Sequence, residues 1–321
     1  MFSIRVLSLF IPYVIVCKNQ TQKAKETSMY KQTDNTAAAN GICDLHTHSY
    51  FSDGTESPAS IVAQAKQAHL CAVALTDHNT VDGLDDFMHA GKEAGVNTVP
   101  GIELSTDWEG TELHILALFL PHRSFPAARA YTNLRNARKE QSNQILCHRL
   151  NAAGYAVNYD TIRSKTNASV PNRAHFASAL VDLGYFDSVK AAFHTLLDRG
   201  APFYQPTQNP DALQTIRIIR SWGAIAVLAH PLLQLQPPTL QRFLALACAV
   251  GLCGMEAWYA RFTDEQTQIL LDICHAFGVL PSGGSDYHGD RKPDIALGTG
   301  CNGNLHVPYD AFQNLQRAAH L

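Results

Sequence analysis

The chain has 321 residues, of which 46% are hydrophobic and 17% charged, a composition typical of a globular protein with a large buried core. Its formal net charge of -3 provides no basic field, which argues against tight binding to long duplex nucleic acid and leaves a small anionic substrate open. The eight cysteines include no C-x-x-C pair, so we expect reduced, buried thiols in a cytoplasmic protein and no disulfide framework.

Residues 1–40 start with an apolar segment, MFSIRVLSLFIPYVIVC, and continue as a polar tract. The apolar segment is too short to span a bilayer comfortably, so we expect no stable membrane insertion. A signal peptide, a short anchor and a mis-assigned start with Met29 as the true first residue all stay open, and export or anchoring stays open with them. We exclude residues 1–40 from the predicted fold.

From Ile42 onward, short apolar runs alternate with helix-like segments. Alternating strands and helices predict parallel strands joined by right-handed crossovers, and seven such units predict an α/β barrel. The runs cover residues 42–45, 71–76, 96–102, 113–120, 224–229, 252–256 and 278–284.

Ionisable residues follow these runs at the points where the predicted strands end. Because the carboxyl ends of barrel strands meet on one face, side chains far apart in sequence are expected to meet there. A single histidine or carboxylate at a strand end is usually a cap or a turn former, but so many on one face favour a metal site built from nitrogen and oxygen donors. These residues are His46, His48, Asp77, His78, Glu103, His230, Glu256, Asp286 and His288, with His114 inside the fourth run.

Six sequence blocks in order resemble the polymerase and histidinol phosphatase (PHP) family: DLHTHSYFSDG, ALTDHN, PGIELS, ELHILAL, LAHP and GGSDYHG. The resemblance implies a distorted (β/α)7 barrel and a metal-dependent phosphoesterase. It also implies up to three divalent ions, with Mn²⁺ as the first choice and Fe²⁺ or Zn²⁺ as alternatives. The implied ligand groups are His46, His48, Glu103 and Asp286; Glu103, His114 and His230; and Asp53, His78 and His288.

The segment Asn172–Tyr204 looks like the helical insertion of the family branch that hydrolyses nucleoside 3′,5′-bisphosphates and trims short RNA from its 5′ end. We therefore expect a barrel of residues 41–123 and 211–321 with a helical cap at 124–210. That branch tends to read H-P-G-R-Y after the fifth strand, whereas this chain reads HPLLQLQ and lacks both the glycine and the arginine. The candidate cations for a substrate phosphate are Arg135, Arg138 and Arg173, with Lys292 as a substitute for the missing arginine.

The resulting hypothesis is hydrolysis of a nucleotide phosphate monoester, or of the 5′ end of a short RNA, by metal-activated hydroxide. Asp77 is expected to orient a ligand imidazole, with Glu256 in a similar position, and His175 is a candidate proton donor to the leaving group. Three alternatives stay open: a phosphatase for another metabolite such as histidinol phosphate, an amidohydrolase-like metallohydrolase, and a non-catalytic scaffold.

Overall fold

The computed structural model describes residues 41–166, 170–204 and 208–320. The expectations for residues 1–40 therefore lie outside the described residues. Within the described ranges, no helix has both the length and the apolar character needed to cross a membrane.

Eight strands form one sheet in the order β7-β6-β5-β4-β3-β2-β1-β8. The chain beyond β1 meets the end of β7, because the Leu45 amide donates to the Gly283 carbonyl (3.1 Å) and the His48 amide to the Tyr287 carbonyl (2.9 Å). The sheet is thus a nearly closed barrel, which confirms the predicted α/β barrel. The strands are β1 Ile42–Asp44, β2 Ala72–Leu75, β3 Thr98–Trp108, β4 Thr111–Leu118, β5 Ile225–Leu228, β6 Leu252–Tyr259, β7 Leu280–Gly284 and β8 Val307–Pro308.

Strand β4 departs from the predicted parallel arrangement. It pairs antiparallel with both β3 and β5, so the expectation of parallel strands throughout was wrong at this position. The reason is local: Glu109 and Gly110 both have positive φ (52° and 78°) and form a two-residue turn, so no crossover helix separates β3 from β4. Because β4 runs in the opposite direction, its first half lies where the parallel strands end, and this places His114 on the functional face.

Side chains alternate across the barrel wall and form two apolar layers. Ile115 and Leu228 belong to the layer beneath the outer helices, whereas Leu116 and Val227 belong to an inner layer together with Phe312 of the last helix. The helices are α1 Pro58–Gln67, α2 Leu84–Ala94, α3 Phe125–Ala152, α4 Tyr159–Ser164, α5 Arg173–Asp182, α6 Val189–Ala192, α7 Ala212–Ser221, α8 Pro237–Ala249, α9 Asp264–Phe277 and α10 Tyr309–Ala319.

The stretch between β4 and α7 contains helices α3 to α6 and has a small core of its own. Leu146 and Leu150 of α3 pack with Phe176 and Leu180 of α5, and Leu197 completes this cluster. The cluster is separate from the two barrel layers. We call α3 to α6 and their connections the cap; its exact boundaries, 124–210, stay a prediction.

Candidate metal centre

The chain that follows β1 supplies the first two candidate ligand side chains. His46 and His48 are two residues apart in extended chain, so both rings face the same side, and their Nε2 atoms lie 3.0 Å apart. The loop that follows turns back through Gly54, whose amide donates to the Ser49 carbonyl (2.9 Å), and brings Asp53 to the same face.

Asp77 holds this loop in place. It is buried, and its carboxylate accepts hydrogen bonds from the Ser49 hydroxyl (2.6 Å) and the Ser52 hydroxyl (2.6 Å). The Ser52 hydroxyl lies 3.4 Å from Nδ1 of His48, so Asp77 acts on a ligand imidazole through a serine. Asp77 thus contacts a candidate ligand imidazole only through Ser52, and at His48 rather than at the adjacent His78, so its orienting role stays a prediction.

Glu103 is the hub of the site and is fully buried. Its Oε2 lies 3.1 Å from Nε2 of both His46 and His48 and 3.0 Å from Nδ1 of His78. Its Oε1 lies 2.7 Å from Nδ1 of His114 and 3.1 Å from Nε2 of His230. The two oxygens thus face two different groups of imidazoles, which is the arrangement needed for a carboxylate that bridges two ions.

A further group gathers around Asp53. Its Oδ1 lies 3.1 Å from Nε2 of His288 and 3.9 Å from ring nitrogens of His78 and His48. Burial alone would raise the pKa of Asp53, but His288 and His78 hold that pKa well below its usual range. Within the described residues, Asp53 Oδ1 and His78 Nδ1 are buried without a hydrogen-bond partner, as expected for atoms that bind a cation.

All nine predicted ligands meet at this end of the barrel, and their donor atoms fit divalent metal ions. In each of four groups the donor atoms lie within 4.8 Å of one another. Nitrogen and carboxylate donors without cysteine suit Mn²⁺, Fe²⁺ or Zn²⁺. The groups are His46, Glu103 and His230; His46, His48 and Asp286; His78, Glu103 and His114; and His48, Asp53, His78 and His288.

Neighbouring side chains contact the candidate ligands and hold them in their orientations. Glu256 is buried, accepts from the His230 amide (2.7 Å) and lies 2.9 Å from Nδ1 of His46, as expected for a carboxylate that orients a ligand. Tyr259 donates to Asp286 (2.9 Å), and Lys292 binds the same carboxylate oxygen at 2.6 Å. The structure therefore places Lys292, a candidate substrate cation, against a candidate metal ligand.

Two candidate ligands have a strained backbone. His230 has φ of 26° and Asp286 has φ of 56°, values that side chains other than glycine rarely adopt. Such conformations cost on the order of 1–3 kcal/mol each and concentrate at functional sites.

His175 lies at the start of α5 and is engaged in the cap. Its Nδ1 accepts from the Asn172 amide (3.1 Å), and its Nε2 lies 2.8 Å from the Thr166 hydroxyl. Burial, with a contribution from Arg291, lowers the pKa of His175 to about 4, so the ring is neutral at pH 7. A neutral, hydrogen-bonded imidazole is poorly suited to the predicted role of proton donor.

A cavity of about 460 Å³ lies between the cap and the nine candidate ligands, which we call the ligand cluster. Candidate metal ligands line one side of it, and cationic side chains of the cap line the other. The ligand side includes Asp53, His78 and His114, and the cationic side includes Arg135, Lys139, Arg173 and Arg199.

Lys139 is the most deeply placed of these cations. Its side chain is only 8% exposed, and among the described residues it makes no hydrogen bond or ion pair. Burial, together with Arg135 and Arg173, lowers the pKa of Lys139 to about 7, although Glu112 acts in the opposite direction. An ammonium group at the wall of a cavity, with no hydrogen-bond or ion-pair partner among the described residues, indicates a place for an anion. Arg138, a predicted substrate residue, is exposed on the same helix.

Comparison with known proteins identifies the family. The PHP domain model matches residues 44–198. The chain belongs to the PHP domain family. A 5′-3′ exoribonuclease of Haemophilus influenzae is 32% identical over 246 residues, which cover 76% of this chain and 89% of that protein.

Two further proteins are similar to this chain. A 3′,5′-nucleoside bisphosphate phosphatase of Chromobacterium violaceum is 30% identical over 250 residues, covering 76% of this chain and 86% of that protein. A Bifidobacterium adolescentis protein assigned to the metal-dependent phosphoesterases superimposes with a TM-score of 0.76 at 28% identity, covering 87% of this chain and 96% of that one. The chain described here, like these relatives, is a phosphoesterase.

Several residues that line the cavity are absent from the sequence-based predictions. Lys139 follows Arg135 by four positions, so helical periodicity in α3 would have placed both side chains on one face. Asn172 and Arg199 had no such signal, because their positions depend on how the cap packs on the barrel.

Proposed function

We propose that this phosphoesterase hydrolyses nucleoside 3′,5′-bisphosphates, or the 5′-phosphorylated end of short RNA, with up to three bound divalent ions, Mn²⁺ first among them. The observation that carries the proposal is the two-sided cavity, with metal-ligand donors on one side and four cations on the other. A substrate with two separated phosphates matches this distribution of charge.

Both substrates present the same chemistry to the cavity. A nucleoside 3′,5′-bisphosphate and the first nucleotide of 5′-phosphorylated RNA each carry a phosphoryl group on O3′ and a phosphate on O5′. We assign the O3′ phosphoryl to the ligand cluster and the O5′ phosphate to the cap cations. Phe193 and Tyr204 also line the cavity and offer aromatic surface for the base.

Side chains of this protein would position the ions next to the phosphoryl group of the substrate. When bound, divalent ions would supply a nucleophile from water near neutral pH and neutralise phosphoryl charge. Glu103 would bridge two ion positions, and Glu256 would keep the His46 ring in its orientation through the contact at 2.9 Å. Because His175 is neutral at pH 7, we assign the proton for the leaving oxygen to water.

The protein should act in the cytoplasm. None of the seven cysteines in the described ranges forms a disulfide, which agrees with reduced thiols in a reducing compartment.

The test is hydrolysis by purified, Mn²⁺-loaded protein of adenosine 3′,5′-bisphosphate, AMP, histidinol phosphate and 5′-phosphorylated RNA oligomers. We expect the bisphosphate and the RNA to be the best substrates, and His46→Ala and Asp286→Asn to abolish turnover. A strong preference for histidinol phosphate would contradict the nucleotide assignment. Failure to cleave any phosphoester would favour a scaffold, and cleavage of an amide instead would favour the amidohydrolase alternative.

A further inference from the structure

Asn172 belongs to the cap and contacts a member of the ligand cluster. It precedes α5, and its side-chain oxygen accepts a hydrogen bond from the Ala174 amide (2.9 Å), which caps the helix. Its side-chain nitrogen donates to Oδ2 of Asp53 (2.8 Å). One side-chain amide therefore caps the start of α5 and also holds a candidate metal ligand of the barrel.

The two oxygens of the Asp53 carboxylate face different neighbours, His288 and Asn172. Its Oδ1 faces His288 at 3.1 Å and has no hydrogen-bond partner among the described residues, whereas its Oδ2 is held by Asn172. A donor on Oδ2 fixes the rotation of the carboxylate and so the direction of Oδ1. Outer partners of this kind set the geometry and the affinity of metal ligands.

The same helix carries a cation of the cavity. Arg173 is the first residue of α5, lies 3.9 Å from Glu112 on β4, and stacks its guanidinium over the Tyr204 ring at 5.1 Å from the ring centre. Since Asn172 directly precedes Arg173, the hydrogen bond to Asp53 joins the start of α5, which carries this candidate substrate cation, to a candidate metal ligand.

We propose that Asn172 is a positioning residue that orients Asp53 for the ion bound by Asp53, His78 and His288, and that couples this ion to the position of Arg173 over the cavity. The inference rests on the proposed function, because it assumes that this ion is present. It follows that weakening the link should affect one ion and substrate binding together, without affecting the other ions.

Two variants of Asn172 distinguish its hydrogen bond to Asp53 from its capping of the start of α5. Asn172→Ser keeps a good capping oxygen, but its side chain is one bond shorter and loses the amide donor to Asp53. Asn172→Ala loses both functions. Asn158→Ser is the matched control, because Asn158 caps α4 of the same cap through the Thr161 amide (2.8 Å).

The measurement is Mn²⁺ binding by titration calorimetry and metal analysis, with KM and kcat for adenosine 3′,5′-bisphosphate alongside. For Asn172→Ser we expect the Kd of one ion to rise by about 10- to 100-fold and KM to rise, with the remaining ions and the melting temperature unchanged. Asn172→Ala should add a loss of thermal stability, and Asn158→Ser should match the wild type.

Wild-type Mn²⁺ affinity and KM in Asn172→Ser would overturn the inference, as would equal weakening of every ion. These results would leave the proposed function standing if the wild type hydrolyses the bisphosphate. A wild type that hydrolyses no phosphoester would instead contradict the proposed function itself.

Discussion

Replacing Lys139 by methionine should separate recognition of a second phosphate from the reaction at the ligand cluster. Methionine keeps the length and the apolar stem of the side chain and removes only the charge. Lys139 lines the cavity, is 8% exposed and has no hydrogen bond or ion pair among the described residues, so the substitution removes no such bond within the described protein. Arg138→Met is the matched control, because Arg138 is the exposed neighbour on the same helix.

The expected size of the effect follows from the chemistry of the contact. A hydrogen bond to a charged group contributes about 1.5–3 kcal/mol, and about 1.4 kcal/mol corresponds to a tenfold change. We therefore expect Lys139→Met to lower kcat/KM for adenosine 3′,5′-bisphosphate by about 10- to 100-fold. Adenosine 3′-phosphate lacks the second phosphate, so its kcat/KM should change by less than about threefold.

Thermal stability supplies an independent check on the same variant. Since a buried ammonium group without a partner is unfavourable, Lys139→Met should melt at or above the temperature of the wild type. The reasoning would be refuted if both substrates lost activity equally, or if Arg138→Met produced the same loss as Lys139→Met.

Three further predictions address the hub, the first loop and the pH dependence. Glu103→Gln should reduce the number of bound Mn²⁺ ions and lower kcat on the order of 100-fold or more, and full metal content in this variant would contradict the bridging role. Gly54→Ala should destabilise the protein by about 1–3 kcal/mol in denaturant unfolding, because the new methyl group would lie 2.2 Å from the His48 carbonyl oxygen; unchanged stability would show that the loop can move. In the free enzyme Lys139 is charged below its lowered pKa of about 7 and neutral above it, so kcat/KM for the bisphosphate should fall as pH rises through that value. Lys139→Met should remove this part of the pH profile, and an unaltered profile would assign it to another group.

Much of the barrel follows from the sequence, because the alternation of apolar runs and helical segments reflects packing on both faces of a sheet. The direction of β4 does not follow from hydrophobicity, since antiparallel and parallel buried strands have similar patterns. The local signal for this direction is the Glu109–Gly110 turn, which is too short for a crossover. The two-residue strand β8 is too short to give any periodic signal.

The candidate ligands were predictable for a related reason. Residues such as His46 and Asp286 stand at strand ends, and barrel closure brings strand ends together. The cavity wall was harder to predict, because cap residues such as Lys139 and Asn172 reach the site through packing between α3, α5 and the barrel. Arg138 has a suitable residue type for binding phosphate, but its position on α3 is exposed, and residue type alone does not show this.

The central claim is that this PHP protein removes phosphate from a nucleotide by a metal-dependent reaction. The most direct measurement is phosphate release from adenosine 3′,5′-bisphosphate by protein stripped with a chelator and then reloaded with Mn²⁺. We predict that release is lost on stripping, returns with Mn²⁺ in the wild type, and does not return in Asp286→Asn. Release that is unaffected by chelation, or equal in wild type and Asp286→Asn, would contradict the account.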